Sequence, residues 1–214
     1  MFRTPLTFRV PLPGTVALLS WVVACAALLH AQEVRSGETR IEIAEGSTAE
    51  YRVREQLARL DFPNDAVGRT TSLAGSFSIR GDGTIVPGGR LRVDLRDIRS
   101  DSNRRDNFIR ENTLETDRFP YADFVPTRLD SLPVLPSSGT VTFRLIGDMT
   151  AHGVTTEMVW DVEATFKPDG VSGEATTRFP FETFDITIPK VFGLLSVDDD
   201  IRLVLRFTAR RVAS

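Results

Sequence analysis

The chain has 214 residues, 41% hydrophobic and 26% charged, enough to build a sizeable core in one domain, or at most two, without a disulfide framework. Its 26 basic and 29 acidic residues leave a net charge of −3, which lacks the basic surface a general nucleic-acid binder needs. One cysteine excludes an intramolecular disulfide and a paired Cys-x-x-Cys zinc site, and two histidines leave little for a histidine-rich metal centre.

Residues 1–31 read as an export signal. Arg3 and Arg9 give a positive start, no acid precedes Glu33, and 16–29 is almost wholly apolar. That run is shorter than the ~18–20 residues of a membrane span. A positive start, a short apolar run and a small residue at Ala31 describe a secretory signal peptide. Leu29-His30-Ala31 is an imperfect cleavage site, and Val22-Val23-Ala24-Cys25 also reads as a lipoprotein box. An uncleaved anchor is the third reading. In each case the body, residues 32–214, lies outside the cytoplasm, in the periplasm or secreted. Cleavage after Ala31 removes two arginines and no acid, so the net charge moves from −3 to −5.

From Arg40 onward the apolar residues recur with a period of two, the signature of strands wet on one face. Tyr51 and Val53 alternate with charged neighbours, and so do Phe77 and Ile79 with Ser76, Ser78 and Arg80. Gly81-Asp82-Gly83 and Pro87-Gly88-Gly89 read as turns. Leu91, Val93 and Leu95 then share a face. The stretch 101–116 loses the period: Phe108, Ile109 and Leu114 form one stripe, and Ser102 or Asn103 caps a short helix that ends at Phe119-Pro120. Val141, Phe143 and Leu145 follow, then a turn at Thr150-Ala151-His152-Gly153. Met158, Trp160, Val162, Ala164 and Phe166 share the next face, and Pro168-Asp169-Gly170 turns into another strand. Asp198-Asp199-Asp200 reads as a solvated turn, with calcium binding as the competing reading. In the final strand Ile201, Leu203, Leu205, Phe207 and Ala209 face one way. Eight or nine strands and one helix must close into a barrel or stack as a sandwich. A barrel of eight is either packed solid or holds one ligand, and periodicity does not choose.

Catalytic signals are weak. No GxSxG, P-loop, HExxH or GxGxxG is present. No pair of carboxylates can be assigned to one cleft, as a glycosidase requires. His152 shows no acid or nucleophile partner in the sequence, and a base needs an orienting group. Arg104-Arg105-Asp106 reads as a structural ion pair ordering the helix, with contact to a polar ligand head as the alternative.

The segment Ser100-Asp101-Ser102-Asn103-Arg104-Arg105-Asp106-Asn107-Phe108-Ile109-Arg110, with Leu114-Glu115 and Phe119-Pro120-Tyr121-Ala122-Asp123-Phe124 after it, resembles the YceI-like family. So does Gly147-Asp148-Met149-Thr150-Ala151-His152-Gly153-Val154-Thr155, and the resemblance covers about residues 46–210. It implies an all-β fold: an eight-stranded antiparallel lipocalin-like barrel, here with one short helix, enclosing a long apolar pore. It implies a bacterial, often periplasmic, lipid- or polyisoprenoid-binding protein with no catalytic activity and no cofactor. Two departures bear on the ligand head: Tyr51-Arg52-Val53-Arg54-Glu55 lacks the histidine many members carry there, and Thr183-Phe184-Asp185 with Phe192-Gly193 only partly meets the C-terminal Asn-Arg-x-x-Phe-Gly pattern.

The expected lining is Phe77, Ile79, Leu91, Val93, Leu95, Phe143, Leu145, Met158, Trp160, Val162, Leu203, Leu205 and Phe207, with Phe108, Ile109 and Leu114 closing one end. The expected partner is a long-chain isoprenoid, an isoprenoid quinone or a similar amphiphilic lipid, with transient membrane contact. Ten buried methylenes contribute about 8 kcal/mol, against an association cost of roughly 4–15 kcal/mol, so a long tail is favoured over a short one. The rivals are a dry barrel serving as an interaction module of the cell envelope, and a barrel enzyme for a small hydrophobic substrate. An empty interior of several hundred cubic ångströms separates the first rival from the carrier.

Overall fold

The computed structural model describes residues 37–132 and 134–213. The expected signal segment and Cys25 lie outside the described residues. Ten strand segments make one antiparallel sheet: β1 Glu38–Ile43, β2 Thr48–Leu57, β3 Asn64–Thr70, β4 Leu73–Arg80, β5 Ile85–Asp94, β6 Tyr121–Asp130, β7 Gly139–Ala151, β8 Val154–Phe166, β9 Gly170–Phe179 and β10 Leu194–Ala213. β1 and β2 are one broken stave, and so are β3 and β4: β1 pairs β4, β2 pairs β3, and the long β10 pairs both β1 and β2 on one edge and β9 on the other. The sheet therefore closes as an eight-stranded antiparallel barrel, with one short helix, α1 Asn103–Phe108.

The breaks have physical causes. Ser47, between β1 and β2, is buried; its hydroxyl donates to Ala44 O and accepts from Thr208 N, so side-chain hydrogen bonds replace the interrupted ladder. At the other break, Thr70 Oγ1 accepts from Ser72 N at 3.0 Å. Beyond it β3 leaves β5, and the seam is closed by an isolated bridge between Arg69 and Arg99 and by the segment carrying α1. Ser102 caps α1, its hydroxyl accepting from Arg105 N. The helix runs into a π-helical turn, Ile109–Thr113.

Two sequence expectations are corrected. Pro87-Gly88-Gly89 is no turn but a bulge inside β5: the register against β4 jumps from Ser78–Val86 to Ser76–Arg90. Gly89 is needed there, because a Cβ would stand 2.4 Å from Phe77 Cβ. Asp198-Asp199-Asp200 is not a turn before the last strand either. It lies within β10 where the register against β2 shifts between Val197 and Ile201. Asp199 Oδ1 accepts from Phe181 N at 2.8 Å and Asp200 pairs with Arg178, so these carboxylates brace the strand.

Candidate functional site: an apolar cavity

Inward faces of the barrel fill one part of its length and leave the rest hollow. Ile41, Ile79, Ile85, Val162, Ala164, Phe166, Val171 and Ala209 are buried in the filled part. The hollow part is a cavity of about 1070 Å³. Phe124, Leu145, Met149, Phe179, Phe184 and Ile201 belong both to the hydrophobic core and to the cavity wall. Phe179 and Phe184 meet edge to face at 4.9 Å, and Phe124 and Trp160 at 6.0 Å. The 3₁₀ turn Phe181–Phe184, held by Asp199, supplies Phe184 and adds Phe181 to the wall.

Of the sixteen residues expected to line a pore, Leu91, Val93, Leu95, Phe108, Ile109, Leu114, Leu145, Trp160, Leu203 and Leu205 line this cavity. Phe77, Ile79, Phe143, Met158, Val162 and Phe207 do not: Ile79 and Val162 are buried in the filled part, Phe77, Phe143 and Phe207 pack half-buried against it, and Met158 is buried opposite Gly147 at the cavity end without reaching the wall. All share the correct face, and all but Met158 sit too far along the barrel axis. Residues not singled out as lining include Tyr51, Val53, Phe124, Met149, Phe179 and Phe184. The alternation at Tyr51 and Val53 was the available signal for the first two.

The polar groups on the wall divide into satisfied and unsatisfied. Arg105 Nη2 pairs with Glu55 Oε1 at 2.9 Å and the same guanidinium pairs with Asp101. Burial pulls the Arg105 guanidinium toward deprotonation, and the two carboxylates more than restore it. Arg92 and Asp123 form a two-point pair at 2.7 Å, which holds the Asp123 carboxyl below its usual range. Glu50, fully covered, is ringed by Arg52, Arg69 and Arg206; burial pushes its carboxyl up, and hydrogen bonds and charge from Arg69 and Arg52 bring it below the ordinary value.

By contrast, Tyr51 Oη, Thr113 Oγ1 and Trp160 Nε1 are out of reach of solvent and have no hydrogen-bond partner among the described residues. All three residues line the cavity. Burial pushes the Tyr51 phenol well above its ordinary range, so it stays a neutral O–H. The Tyr51 ring lies across Gly68, where a Cβ would come within 2.2 Å of Cε1.

The expected Arg105–Asp106 pair is not formed. Asp106, buried under the helix, accepts from Ser100 N at 2.8 Å and from Ser100 Oγ at 2.6 Å, and Arg105 turns to the barrel wall instead. His152 does have an acidic neighbour, contrary to expectation: Nε2 lies 3.4 Å from Glu115 Oε1 and Nδ1 3.2 Å from Phe184 O. It is not on the cavity wall. It pins the β7–β8 turn to the 3₁₀ turn beneath the cavity.

A family model described as YceI-like domain matches residues 39–209. The chain belongs to the YceI-like family. No curated protein matches it. Among solved structures, this YceI-like chain is similar to a polyisoprenoid binding domain from Saccharophagus degradans implicated in plant cell wall breakdown, with 11% identity, a TM-score of 0.63, and coverage of 81% of this chain and 98% of that one. It is similar to BcnA of Burkholderia cenocepacia, with 11% identity, a TM-score of 0.57, and coverage of 76% and 95%. It is also similar to the YCEI protein of Campylobacter jejuni, with 14% identity, a TM-score of 0.54, and coverage of 72% and 90%. At these identities the likeness is one of fold, and the eight-stranded barrel of the YceI-like resemblance is the barrel observed.

Proposed function

We propose that this chain is an exported binding protein that holds one amphiphilic lipid inside its barrel, with a long hydrocarbon tail of the polyisoprenoid or isoprenoid-quinone class. The observation that carries the reading is the hollow itself: about 1070 Å³ of mostly apolar interior, at the upper end of the range for ligand sites. A dry interaction module needs that volume filled, because native interiors tolerate few voids larger than a water. The three unpartnered polar atoms, on Tyr51, Thr113 and Trp160, favour an amphiphile over a pure hydrocarbon: leaving a buried donor unmade costs about 1–3 kcal/mol each, and a ligand oxygen relieves that. The family membership, and the polyisoprenoid binding domain among the similar folds, support the same ligand class.

The role is binding and not catalysis. Five charged groups of the wall, Glu50, Glu55, Arg92, Arg105 and Asp123, are engaged in ion pairs, which suits structure better than proton transfer. The reading places residues 1–31 as the export signal and 32–214 as the working barrel. It is tested by gentle purification from the native host followed by mass spectrometry of an organic extract. A stoichiometric long-chain isoprenoid is expected. No lipid in the extract, together with no uptake of a long-chain prenol in vitro, would overturn it.

A further inference from the structure

Among the described residues, eight large hydrophobic side chains stand exposed, and five of them lie on two adjoining segments: Leu60 and Phe62 in the β2–β3 connection, and Val191 and Phe192 just before β10 with Leu195 at its start. Phe192 is 100% exposed, Phe62 79% and Leu195 67%. Singly, exposed apolar residues need no explanation, but a cluster does. The two segments are tied together. Ala58 N donates to Gly193 O at 2.9 Å, and Leu57 pairs with Leu194 in register. The same segments supply cavity wall: Leu57, Ala58 and Arg59 from one, Val191, Phe192 and Gly193 from the other. A wall residue as exposed as Phe192 marks where the cavity opens. The apolar tips therefore stand beside the opening.

We propose that these tips dock the barrel onto a lipid bilayer, with the cavity opening against the membrane surface. The inference rests on the carrier reading, which explains why the patch and the opening coincide. A lipid tail that leaves the bilayer directly into the cavity avoids exposing its methylenes to water, and each exposed methylene would raise the barrier to transfer. A protein partner seated on the tips would instead cover the opening. The charges on these segments are mixed, Arg59 and Lys190 against Asp61, so attraction to anionic lipid is weak and insertion of apolar side chains does the binding. Docking is therefore expected on zwitterionic bilayers and is expected to change little with salt.

The test uses the protein purified from its host and phosphatidylcholine vesicles in a flotation assay. Phe62→Ser and Leu195→Ser are suitable variants, because both side chains are well exposed and neither lines the cavity. The wild type is expected to float with the vesicles at low and high salt, and the double variant to partition at least tenfold less. Uptake of a long-chain prenol presented in detergent micelles is expected to be equal in both. A wild type that stays unfloated, or a double variant that floats equally well, overturns the docking surface. If micelle uptake persists in that case, the carrier reading stands without it; if uptake fails as well, both fall. A wild type that sediments as a dimer which the double variant abolishes, with no flotation, assigns the patch to a second copy of the chain and overturns the proposal.

Discussion

Arg105 and Glu55 meet at 2.9 Å across fifty residues of sequence, and this contact fastens α1 to the barrel wall at β2. Both side chains are largely covered, at 18% and 9% exposure. Asp101 pairs with Arg105 from the exposed side, so the guanidinium keeps one partner if Glu55 is lost. The reverse does not hold. Arg105→Ala leaves Glu55 covered and facing only the Asn64 amide at 3.4 Å. We expect a loss of about 3 kcal/mol for Arg105→Ala and a smaller loss for Glu55→Gln. Denaturant titration of both singles and the double should show that the losses do not add.

Asp106 is expected to matter through Ser100 and not through Arg105. Its carboxylate accepts two hydrogen bonds from Ser100, and its second oxygen has no partner among the described residues. Asp106→Ala should cost about 2 kcal/mol, since charge-assisted hydrogen bonds are the stronger kind. Ser100→Ala should cost less, because the backbone donor remains. Lipid content should be unchanged in both, as Asp106 is not part of the cavity wall.

Tyr51→Phe separates binding from stability. The phenol oxygen has no partner among the described residues, so removing it should leave the melting temperature unchanged or slightly higher. If the lipid head bonds this hydroxyl, affinity should fall by roughly tenfold, the worth of one hydrogen bond. Gly68→Ala is the complementary change. It pushes the Tyr51 ring out of place and should lower both stability and binding.

The sequence made the inward face legible but not the position along the axis. Leu145 and Phe143 are two residues apart on β7 and face the same way. Leu145 reaches the cavity, and Phe143 lies in the filled part. A period of two carries side, and nothing in it carries depth. Depth is set by where rings from other strands meet, and Phe179 and Phe184 come together only through the 3₁₀ turn braced by Asp199. The bulge at Gly88 was misread for a related reason: Pro-Gly-Gly signals a departure from regular pairing, and a turn and a bulge both satisfy it. Arg105 and Asp106 are neighbours in sequence, but one reaches across to Glu55 on the barrel wall and the other back to Ser100, which adjacency could not reveal.

Acid should weaken the barrel through Glu50. Its folded-state carboxyl titrates below the ordinary value, so it adds stability above the unfolded value of about 4.3 and loses it as pH falls through the folded one. Glu50→Gln should cost about 1–2 kcal/mol at neutral pH, because Arg52, Arg69 and Arg206 are each partly solvated and recover hydration. Melting curves of wild type and variant should converge as the pH drops below about 4. A gap that stays constant would mean that Glu50 contributes by packing and not by charge.

The hollow interior gives the sharpest expectation. Ala122 lies on β6, lines the cavity, and is paired with Val93 of the neighbouring strand β5. In a filled core, Ala122→Phe would overpack and cost about 1–3 kcal/mol. In a hollow one the ring occupies space meant for the lipid, so stability should hold while bound lipid falls. Trp160 offers the readout. Trp21 belongs to the expected signal segment, which leaves Trp160 as the single tryptophan of residues 32–214. It sits on the cavity wall beside Phe124. Titrating delipidated protein with a long-chain isoprenoid quinone should quench its emission with saturation near one equivalent. The Ala122→Phe variant should need a higher concentration or show no quenching. Equal titrations for both proteins would place the lipid elsewhere and count against the cavity as its site.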